Sequence, residues 1–427
     1  MATSTPTTDS REAEPNLFPD LIELDALRLT VIVDNDVDFM TSVPRELGQT
    51  AQAIKLFSDK RNIDWEKTTE KESANTHERE REHEHEHGHG HEDVHPHTQD
   101  GERPVRTIAF DFNDVCCGAH GLSILVTGIK DGVEHRILFD TGPHSAIFLD
   151  NARRLELEFE KIEVVVLSHW HIDHSGGMIA AVEKIREARE KKQGLSPVVV
   201  DLHPDRPDQR GTCLTKSLKV HNEPEEEPIQ YVAWGADPSL DGLKKAGAQV
   251  SLKSQAHTIC DGFFGVSGLI PRKTSYETGI PNHVRWFQDS KSWKPEPEIM
   301  DERYLVARVR SKGLVVLTGC SHAGVINVCQ DVKHAFDPKN SNNSNSNSAK
   351  GSDVADNQIF FVVGGFHLAG HSVETRIKET IDDMLKIDPS FMAPGHCSGW
   401  RAKAALEQAM PGRVASLGVG SDFYIHH

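Results

Sequence analysis

The chain has 427 residues, a formal net charge of −18 at pH 7 and 37% hydrophobic residues. The negative charge argues against nucleic acid as a partner, because phosphates require a basic surface. No apolar run reaches the ~18 residues of a membrane span, and the N-terminal segment lacks the apolar core of a signal peptide. Seven scattered cysteines indicate reduced thiols rather than a disulfide framework. We therefore expect a cytoplasmic enzyme that acts on a small molecule, without nucleic-acid or membrane partners; the oligomeric state stays open.

The polar, Pro-containing N-terminus predicts a disordered tail over residues 1–26. The segment LRLTVIVDND that follows is rich in β-branched and apolar residues and predicts a strand. From about 55 to 104 the sequence is dominated by Glu and His, so we interpret it as a low-complexity insertion. Its histidines either bind metal weakly and exchangeably or have no specific function.

The segment 121–142 has two apolar runs around a Lys-Asp-Gly turn and predicts a hairpin. KIEVVVLSH predicts a strand buried on both faces, and 176–192 has helical spacing and a basic C-terminal end. Further strands and helices follow, interrupted by an Asn/Ser-rich insertion at about 337–357. Strands that alternate with helices indicate an α/β (α+β) layered fold, in a single domain over 27–427.

Four side chains that can bind metal stand close together in VVVLSHWHIDHSGG, at 164–177. His169 and His171 point the same way in an extended segment, and Asp173 and His174 reach the same pocket if the chain turns after them. The cluster lies between a predicted strand and a helix, where open α/β sheets place their sites. Imidazole nitrogen and carboxylate oxygen are ligands that zinc prefers. The alternative is a chance cluster in a chain with 25 histidines, but the apolar strand and the Gly-Gly on either side favour a metal site.

This H-x-H-x-D-H pattern resembles the signature of the metallo-β-lactamase superfamily. Companion segments occur in the order that the superfamily shows: LFDTG at 138–142, TGCSHAG at 318–324 and PGHCSG at 394–399. LTVIVDN, SGLIPRKTSYE, MDERYLV and GGFHL further resemble the branch named after dihydropteridine-ribofuranosylaminobenzene phosphate synthase. The resemblance implies a four-layer αββα sandwich with the metal site along one edge of its two sheets.

The resemblance also implies two sets of metal ligands, of which one is His169, His171 and His322 and the other is Asp173, His174 and His396. One or two zinc ions per chain, or other divalent metals, would bind there. Asp140 fits a role in orienting the ligand loop through hydrogen bonds. His367 stands where the superfamily has a bridging carboxylate, and it is a substitute ligand, a proton donor beside the substrate or a packed core histidine.

Five further residues lie near these segments. Arg272 could hold a substrate carboxylate or phosphate in a bidentate grip or form a surface ion pair, and Glu277 belongs to the same loop. Asn35 follows the first strand and could line the rim of the site. Cys320 and Cys397 each neighbour a predicted ligand, and they are either metal contacts or small packing residues.

Function follows from the metal. Zinc lowers the pKa of a bound water towards neutrality, and the hydroxide would attack an ester, lactone or amide-like bond of a small molecule. Asp173 would position the hydroxide and take its proton, and His367 is the second candidate catalytic residue. Two alternatives remain: a transferase that joins a pterin-type diphosphate to an aromatic amine, as the branch implies, and a non-catalytic zinc-binding or storage protein.

Overall fold

The computed structural model describes residues 17–38, 41–48, 112–192, 194–214, 229–338 and 357–427. The chain divides into two compact units, residues 1–52 with 116–427 and residues 53–115. The His-rich insertion at 55–104 lies outside the described residues, and so does the Asn/Ser-rich insertion apart from its ends. The single domain over 27–427 stays a prediction.

Strands alternate with helices along the chain. The strands of the described residues are β1 (Glu23–Leu24), β2 (Ala26–Val33), β3 (Ser123–Lys130), β4 (Val133–Phe139), β5 (Ile162–Val166), β6 (Val199–Leu202), β7 (Gln209–Cys213), β8 (Tyr231–Ala233), β9 (Gln249–Leu252), β10 (His257–Ile259), β11 (Phe264–Val266), β12 (His283–Phe287), β13 (Ser292–Pro295), β14 (Leu305–Val309), β15 (Gly313–Thr318), β16 (Ile359–Gly365), β17 (Phe391–Gly395) and β18 (Asp422–His426). The α-helices of the same ranges are α1 (Ser145–Arg154), α2 (Ile172–Ser175), α3 (Met178–Glu190), α4 (Leu240–Ala246), α5 (Val325–Ala335), α6 (Ile377–Ile387) and α7 (Trp400–Ala409).

Residues 17–26 correct the predicted disordered tail. The side chains of Phe18 and Leu24 are fully buried, and β1 pairs in parallel with β14. The segment NLFPDLIEL carries enough apolar side chains to pack against the core, although polar residues precede it. The first 16 residues lie outside the described ranges.

Two large sheets form the centre of the first unit. The first has the order β18-β2-β3-β4-β5-β6-β9, and the second has the order β10-β11-β14-β15-β16-β17 with β1 beside β14. The predicted hairpin at 121–142 is β3–β4, whose turn places Asp131 and Gly132 at positive φ, as tight hairpin turns require. Strands β4, β5 and β6 run in parallel, as do β15, β16 and β17. Their carboxyl ends therefore open onto loops that can share one site.

The core confirms four layers. Side chains of the facing sheets pack together between them, among them Phe139, Val166 and Leu317. The outer face of the first sheet packs on α1, α3 and α4, and the outer face of the second packs on α5, α6 and α7. This is the predicted αββα sandwich.

A third, four-stranded sheet has the order β13-β12-β7-β8. Its strand β12 begins at His283, a buried residue that reaches the metal-ligand loops. Across the described ranges, no helix has both the length and the apolar character to cross a membrane.

Candidate metal centre

Three histidine nitrogens converge at the edge of the sandwich. His169 and His171 follow β5, and His322 follows β15. His169 Nε2 lies 2.9 Å from His171 Nδ1, and His322 Nε2 lies 3.1 Å from both atoms. All three side chains are buried. We call these residues the histidine cluster; their nitrogens are spaced as three ligands of one tetrahedral ion would be.

Contacts behind the rings indicate which nitrogens are free for a metal. Ser168 Oγ donates to Asp140 Oδ2 at 2.7 Å, so it accepts the Nδ1–H of His169 at 2.9 Å. His283 Nδ1 lies 2.6 Å from the carbonyl of Glu296 and donates to it. Its Nε2 is therefore the acceptor for His171 Nε2–H at 3.3 Å. These inferred tautomers leave the lone pairs of His169 Nε2 and His171 Nδ1 pointing into the cluster.

A second group of four ligand atoms lies beside the first. His174 Nε2, His396 Nε2 and Cys320 Sγ are 3.1 to 3.2 Å apart. Asp173 Oδ2 is 3.3 Å from His396 Nε2 and 3.8 Å from His174 Nε2. We call Asp173, His174, Cys320 and His396 the mixed cluster. The thiol of Cys320 is thus a member of a ligand set, and the sequence had left open whether it contacts metal or only packs.

Asp140 lies behind both clusters. Its Oδ2 is 2.7 Å from His174 Nδ1 and accepts from Ser168, which holds His169. Its Oδ1 accepts the backbone N–H of Ser168 at 2.7 Å. The carboxylate is fully buried, and the residue has a φ of +59°. Such contacts fix the rings of metal ligands; the predicted orienting role of Asp140 rests on them.

The histidines of the two clusters differ in their protonation states. Burial lowers the pKa of His169, His171 and His322 well below the usual value, so these imidazoles are neutral, the form that binds metal. Burial acts the same way on His174, but the carboxylates of Asp173 and Asp140 outweigh it and raise the pKa of His174 to about 9. The mixed cluster therefore holds negative charge that attracts either a proton or a cation.

The segment Asp301–Arg303, within the MDERYLV sequence, contacts the loops that carry the histidine cluster. Asp301 accepts the backbone N–H of Trp170 at 2.7 Å. The carboxylate of Glu302 accepts the N–H groups of His322 and Ala323 at 2.7 and 2.6 Å. Burial raises the pKa of Glu302 to about 7. Arg303 donates to the carbonyl of Leu167. The triplet thus fixes both ligand loops, a role that no local pattern in the sequence reveals.

His367 lies next to the histidine cluster. Its ring centroid is 4.5 Å from that of His322 in an edge-to-face arrangement, and its Nδ1 is buried without a hydrogen-bond partner. Among the described residues, the two ligand sets of the site assemble without it. The arrangement therefore favours a proton donor or a packed core histidine over a substitute metal ligand.

The three residues predicted to bind substrate contact protein groups. Asn35 Oδ1 is 3.2 Å from His396 Nδ1, and Arg272 donates to the carbonyl of His322 at 3.1 Å. Glu277 accepts the N–H groups of Ile326 and Asn327 at 2.9 and 3.0 Å and so caps α5. Substrate binding by these three stays a prediction, and their observed contacts are those of residues that hold the site in place.

Two histidines near the ligands were missed by sequence reasoning. His283 lies on the third sheet, more than a hundred residues after His171 along the chain. His120 is largely exposed; its Nε2 is 3.6 Å from Asp173 Oδ2, and its ring centroid is 4.7 Å from that of His396. The AHG sequence that contains His120 belongs to the segment before β3, and its position beside Asp173 becomes visible only in the fold.

Residues 135–258 match the family model described as the beta-lactamase superfamily domain. The chain is 26% identical over 304 residues to 7,8-dihydropterin-6-methyl-4-(β-D-ribofuranosyl)-aminobenzene-5′-phosphate synthase of Methanocaldococcus jannaschii, which covers 70% of this chain and 88% of that protein. It is 29% identical over 290 residues to the uncharacterized protein MJ0448 of the same organism, which covers 68% and 88%. The crystal structure of Tm1679, a metal-dependent hydrolase of the beta-lactamase superfamily, superposes with a TM-score of 0.53 at 19% identity, covering 93% of this chain and 98% of that one.

The chain therefore contains a domain of the beta-lactamase superfamily, as the H-x-H-x-D-H segment and its companions predict. Its sequence is similar to that of the aminobenzene-phosphate synthase. This is the enzyme after which the branch is named that LTVIVDN, SGLIPRKTSYE, MDERYLV and GGFHL resemble. The superfamily is one of metal-dependent enzymes, and the two ligand clusters of this chain fit that class.

The donor atoms fit divalent metal ions. The histidine cluster offers the nitrogens of three neutral imidazoles. The inferred tautomers direct the lone pairs of two of these nitrogens into the cluster. The mixed cluster offers nitrogen, oxygen and sulfur atoms that lie within 4.8 Å of one another. Such sets are typical of zinc and other borderline ions.

Proposed function

We propose that the protein is a metal-dependent hydrolase that cleaves an ester, lactone or amide-like bond of a small molecule. The observation that carries the proposal is the arrangement of Asp173. Its side chain is 20% exposed, whereas the side chains of His174 and His396 beside it are 0% exposed. Asp173 is thus the one partly exposed member of the mixed cluster, as a residue that must meet both water and substrate requires.

Different residues would bind the metal ions and transfer the proton. The histidine cluster would hold one ion and the mixed cluster a second, and zinc is the ion that we propose for both. A divalent ion bound there supplies Lewis-acid polarisation of a carbonyl or phosphoryl oxygen and lowers the pKa of water. Asp173 orients the attacking water and accepts its proton. In the metal-free protein burial opposes ionisation of Asp173, but the charges of His174 and His396 outweigh it and hold the pKa of Asp173 below its usual range. A bound divalent ion would replace the protons of these two imidazoles and so keep the carboxylate ionised.

His367 is the second catalytic residue that we propose. It is half-buried and follows β16, so it stands between the loops that carry His322 and His396. Its contact with the ring of His322 places it beside the histidine cluster. A histidine there can protonate a leaving group without being held as a ligand.

The test compares Asp173→Asn with a matched control, His371→Gln, which changes an exposed residue after β16. The full-length protein, purified without a nickel column, is assayed against a panel of lactones and esters. We expect Asp173→Asn to lower kcat by roughly 10²- to 10⁴-fold, the usual contribution of a positioned proton acceptor. The control should retain wild-type rates and wild-type metal content. Hydrolysis that survives Asp173→Asn unchanged would contradict the proposed role.

A second candidate is a transferase that joins a pterin-type diphosphate to an aromatic amine. The observation that favours it is the similarity to the aminobenzene-phosphate synthase, which extends over 88% of that protein. Release of pyrophosphate from a pterin diphosphate in the presence of an aromatic amine would support it over hydrolysis. A zinc-storage role would instead leave metal uptake intact in Asp173→Asn and produce no turnover with either substrate class.

A further inference from the structure

A third group of metal-binding side chains lies at the other end of the strands that carry the metal centre. His135 is near the start of β4, and Glu163 is near the start of β5. Cys260 lies in the turn between β10 and β11, on the second sheet. The metal centre follows the carboxyl ends of β4 and β5, so this group is separated from it by the length of those strands. We call His135, Glu163 and Cys260 the far-end cluster.

The three ligand atoms are close. One atom each of His135, Glu163 and Cys260 lies within 4.8 Å of the other two. His135 Nδ1 is 2.9 and 3.0 Å from the two carboxylate oxygens of Glu163. Asp261, an exposed neighbour of Cys260, approaches the other ring nitrogen of His135, with its Oδ2 at 3.8 Å from Nε2. Asp261 therefore lies on the side of the ring away from Glu163, where its charge favours a proton on Nε2 and so leaves Nδ1 to bind metal.

The group is fixed by its surroundings. The ring of Phe263 packs edge-on against His135, with centroids 4.4 Å apart. Cys260 packs against the core between the sheets, and Gly262 O accepts the backbone N–H of Ile22 at 2.9 Å. Cys260 and Asp261 both have a φ of +52°, a conformation that non-glycine residues seldom adopt. The turn therefore presents these two side chains towards His135 in a backbone conformation that costs energy.

We propose that the far-end cluster binds a divalent cation of the zinc type that links the two sheets. Imidazole nitrogen, carboxylate oxygen and thiolate sulfur together are the donor set of such ions. Binding is not a redox step: the sulfur–metal bond forms as the thiol proton leaves to solvent. The ion would join β4 and β5 of the first sheet to the β10–β11 turn of the second. Its role would be structural and independent of turnover.

An ion pair without metal is the competing interpretation. His135 and Glu163 would then form a charge-assisted hydrogen bond near the surface that adds little to stability, and Cys260 would not take part. The two interpretations differ in whether sulfur is involved, because only the metal site needs the thiol. A signal that reports thiolate bound to metal therefore decides between them, and the histidines of residues 77–97 cannot produce it.

The experiment is a titration of the full-length protein with Co²⁺, followed by the thiolate-to-cobalt charge-transfer band. It starts from Cys320→Ser, which removes the thiol of the mixed cluster. We expect the band to remain in this variant and to disappear when Cys260→Ser is added. The matched control adds Cys213→Ser, which changes a buried cysteine of β7 and should leave the band unchanged. No band in Cys320→Ser, or a band that survives Cys260→Ser, would overturn the proposal.

A stability measurement avoids dependence on Cys320→Ser folding. Glu163→Gln in the otherwise unchanged protein should lower Tm more in the presence of Zn²⁺ than in the presence of a chelator. The control is Glu187→Gln on an exposed face of α3, which should shift Tm equally under both conditions. An equal shift for Glu163→Gln would mean that the group is an ion pair only. Loss of metal from the far-end cluster would leave hydrolysis intact. A negative result for this cluster is therefore distinct from a negative result for the proposed hydrolase function.

Discussion

The two clusters of the metal centre differ in how they are built. The histidine cluster has three neutral side chains, all enclosed, and leaves the fourth direction of a tetrahedral ion to a non-protein ligand. The mixed cluster has four protein ligands, among them a thiol and a carboxylate, and one of the four is partly exposed. The ring centroids of His169 and His174 are only 4.4 Å apart, so the clusters adjoin. We infer that the histidine cluster presents the open position and that the mixed cluster holds Asp173 against it.

Substitutions at two residues of one loop distinguish the contributions of the two clusters to activity. His322→Ala removes a ligand of the histidine cluster, and Cys320→Ser removes one from the mixed cluster. We expect His322→Ala to lower kcat/KM by at least the ~10²–10³-fold that loss of one electrostatic stabiliser costs. Cys320→Ser should have a smaller effect, because Asp173, His174 and His396 remain. Steady-state kinetics with metal content measured on the same samples would check the order, and a larger loss for Cys320→Ser would reverse our assignment of the open position.

Asp140→Asn should affect both clusters, because one carboxylate oxygen contacts His174 directly and His169 through Ser168. An outer partner of this kind is worth roughly 10–100-fold in metal affinity. Competition with a chromophoric chelator would resolve the two affinities. Asp150→Asn on α1 is the matched control, since its side chain is about half exposed. Weakening of a single affinity would contradict the shared role.

His283→Gln should affect the histidine cluster alone. Its only metal-ligand contact among the described hydrogen bonds is with His171, so we expect a loss at the lower end of the ~10–100-fold range for outer partners. The same chelator competition should show an unchanged affinity of the mixed cluster. His426→Gln, at an exposed position of β18, controls for the loss of a histidine.

The metal-free protein should respond to pH in opposite ways at the two clusters. The depressed pKa of His169, His171 and His322 means that their contribution to stability is present above pH 6.5 and is lost as pH falls below it. The raised pKa of His174 means that its contribution is present below pH 6.5 and is lost as pH rises towards about 9. Urea unfolding of His322→Gln and His174→Gln against pH would check these directions. Each variant should flatten the profile only on its own side of pH 6.5.

The candidate ligands were predictable where they lie close together in the sequence or in short segments that resemble the superfamily. H-x-H-x-D-H places His169, His171 and His174 at the end of one strand, and the short segments around His322 and His396 mark two further strand ends. Parallel strands then bring those ends together, so the sequence predicts the contents of the site once the fold is given. The αββα layering was predicted through the family resemblance, because the continuous apolar run of β5 by itself indicates only a strand buried on both faces.

The rest depends on contacts that have no local pattern. His283 meets His171 only because a third sheet folds over the loop, and Glu302 braces His322 from a segment about 20 residues earlier along the chain. Glu277 belongs to a segment that resembles a substrate loop of the branch, yet its carboxylate caps a helix. Cys320 has the small size of a packing residue, and only the positions of His174 and His396 make its sulfur a candidate ligand.

We propose that the chain holds metal in two ligand sets of different composition. The most direct test is a crystal structure of the full-length, zinc-loaded protein with an anomalous difference map at the zinc edge. We predict one peak enclosed by His169 Nε2, His171 Nδ1 and His322 Nε2, and a second enclosed by Asp173, His174, Cys320 and His396. Anomalous density at neither position, with zinc found only on the histidines of residues 77–97, would contradict the account.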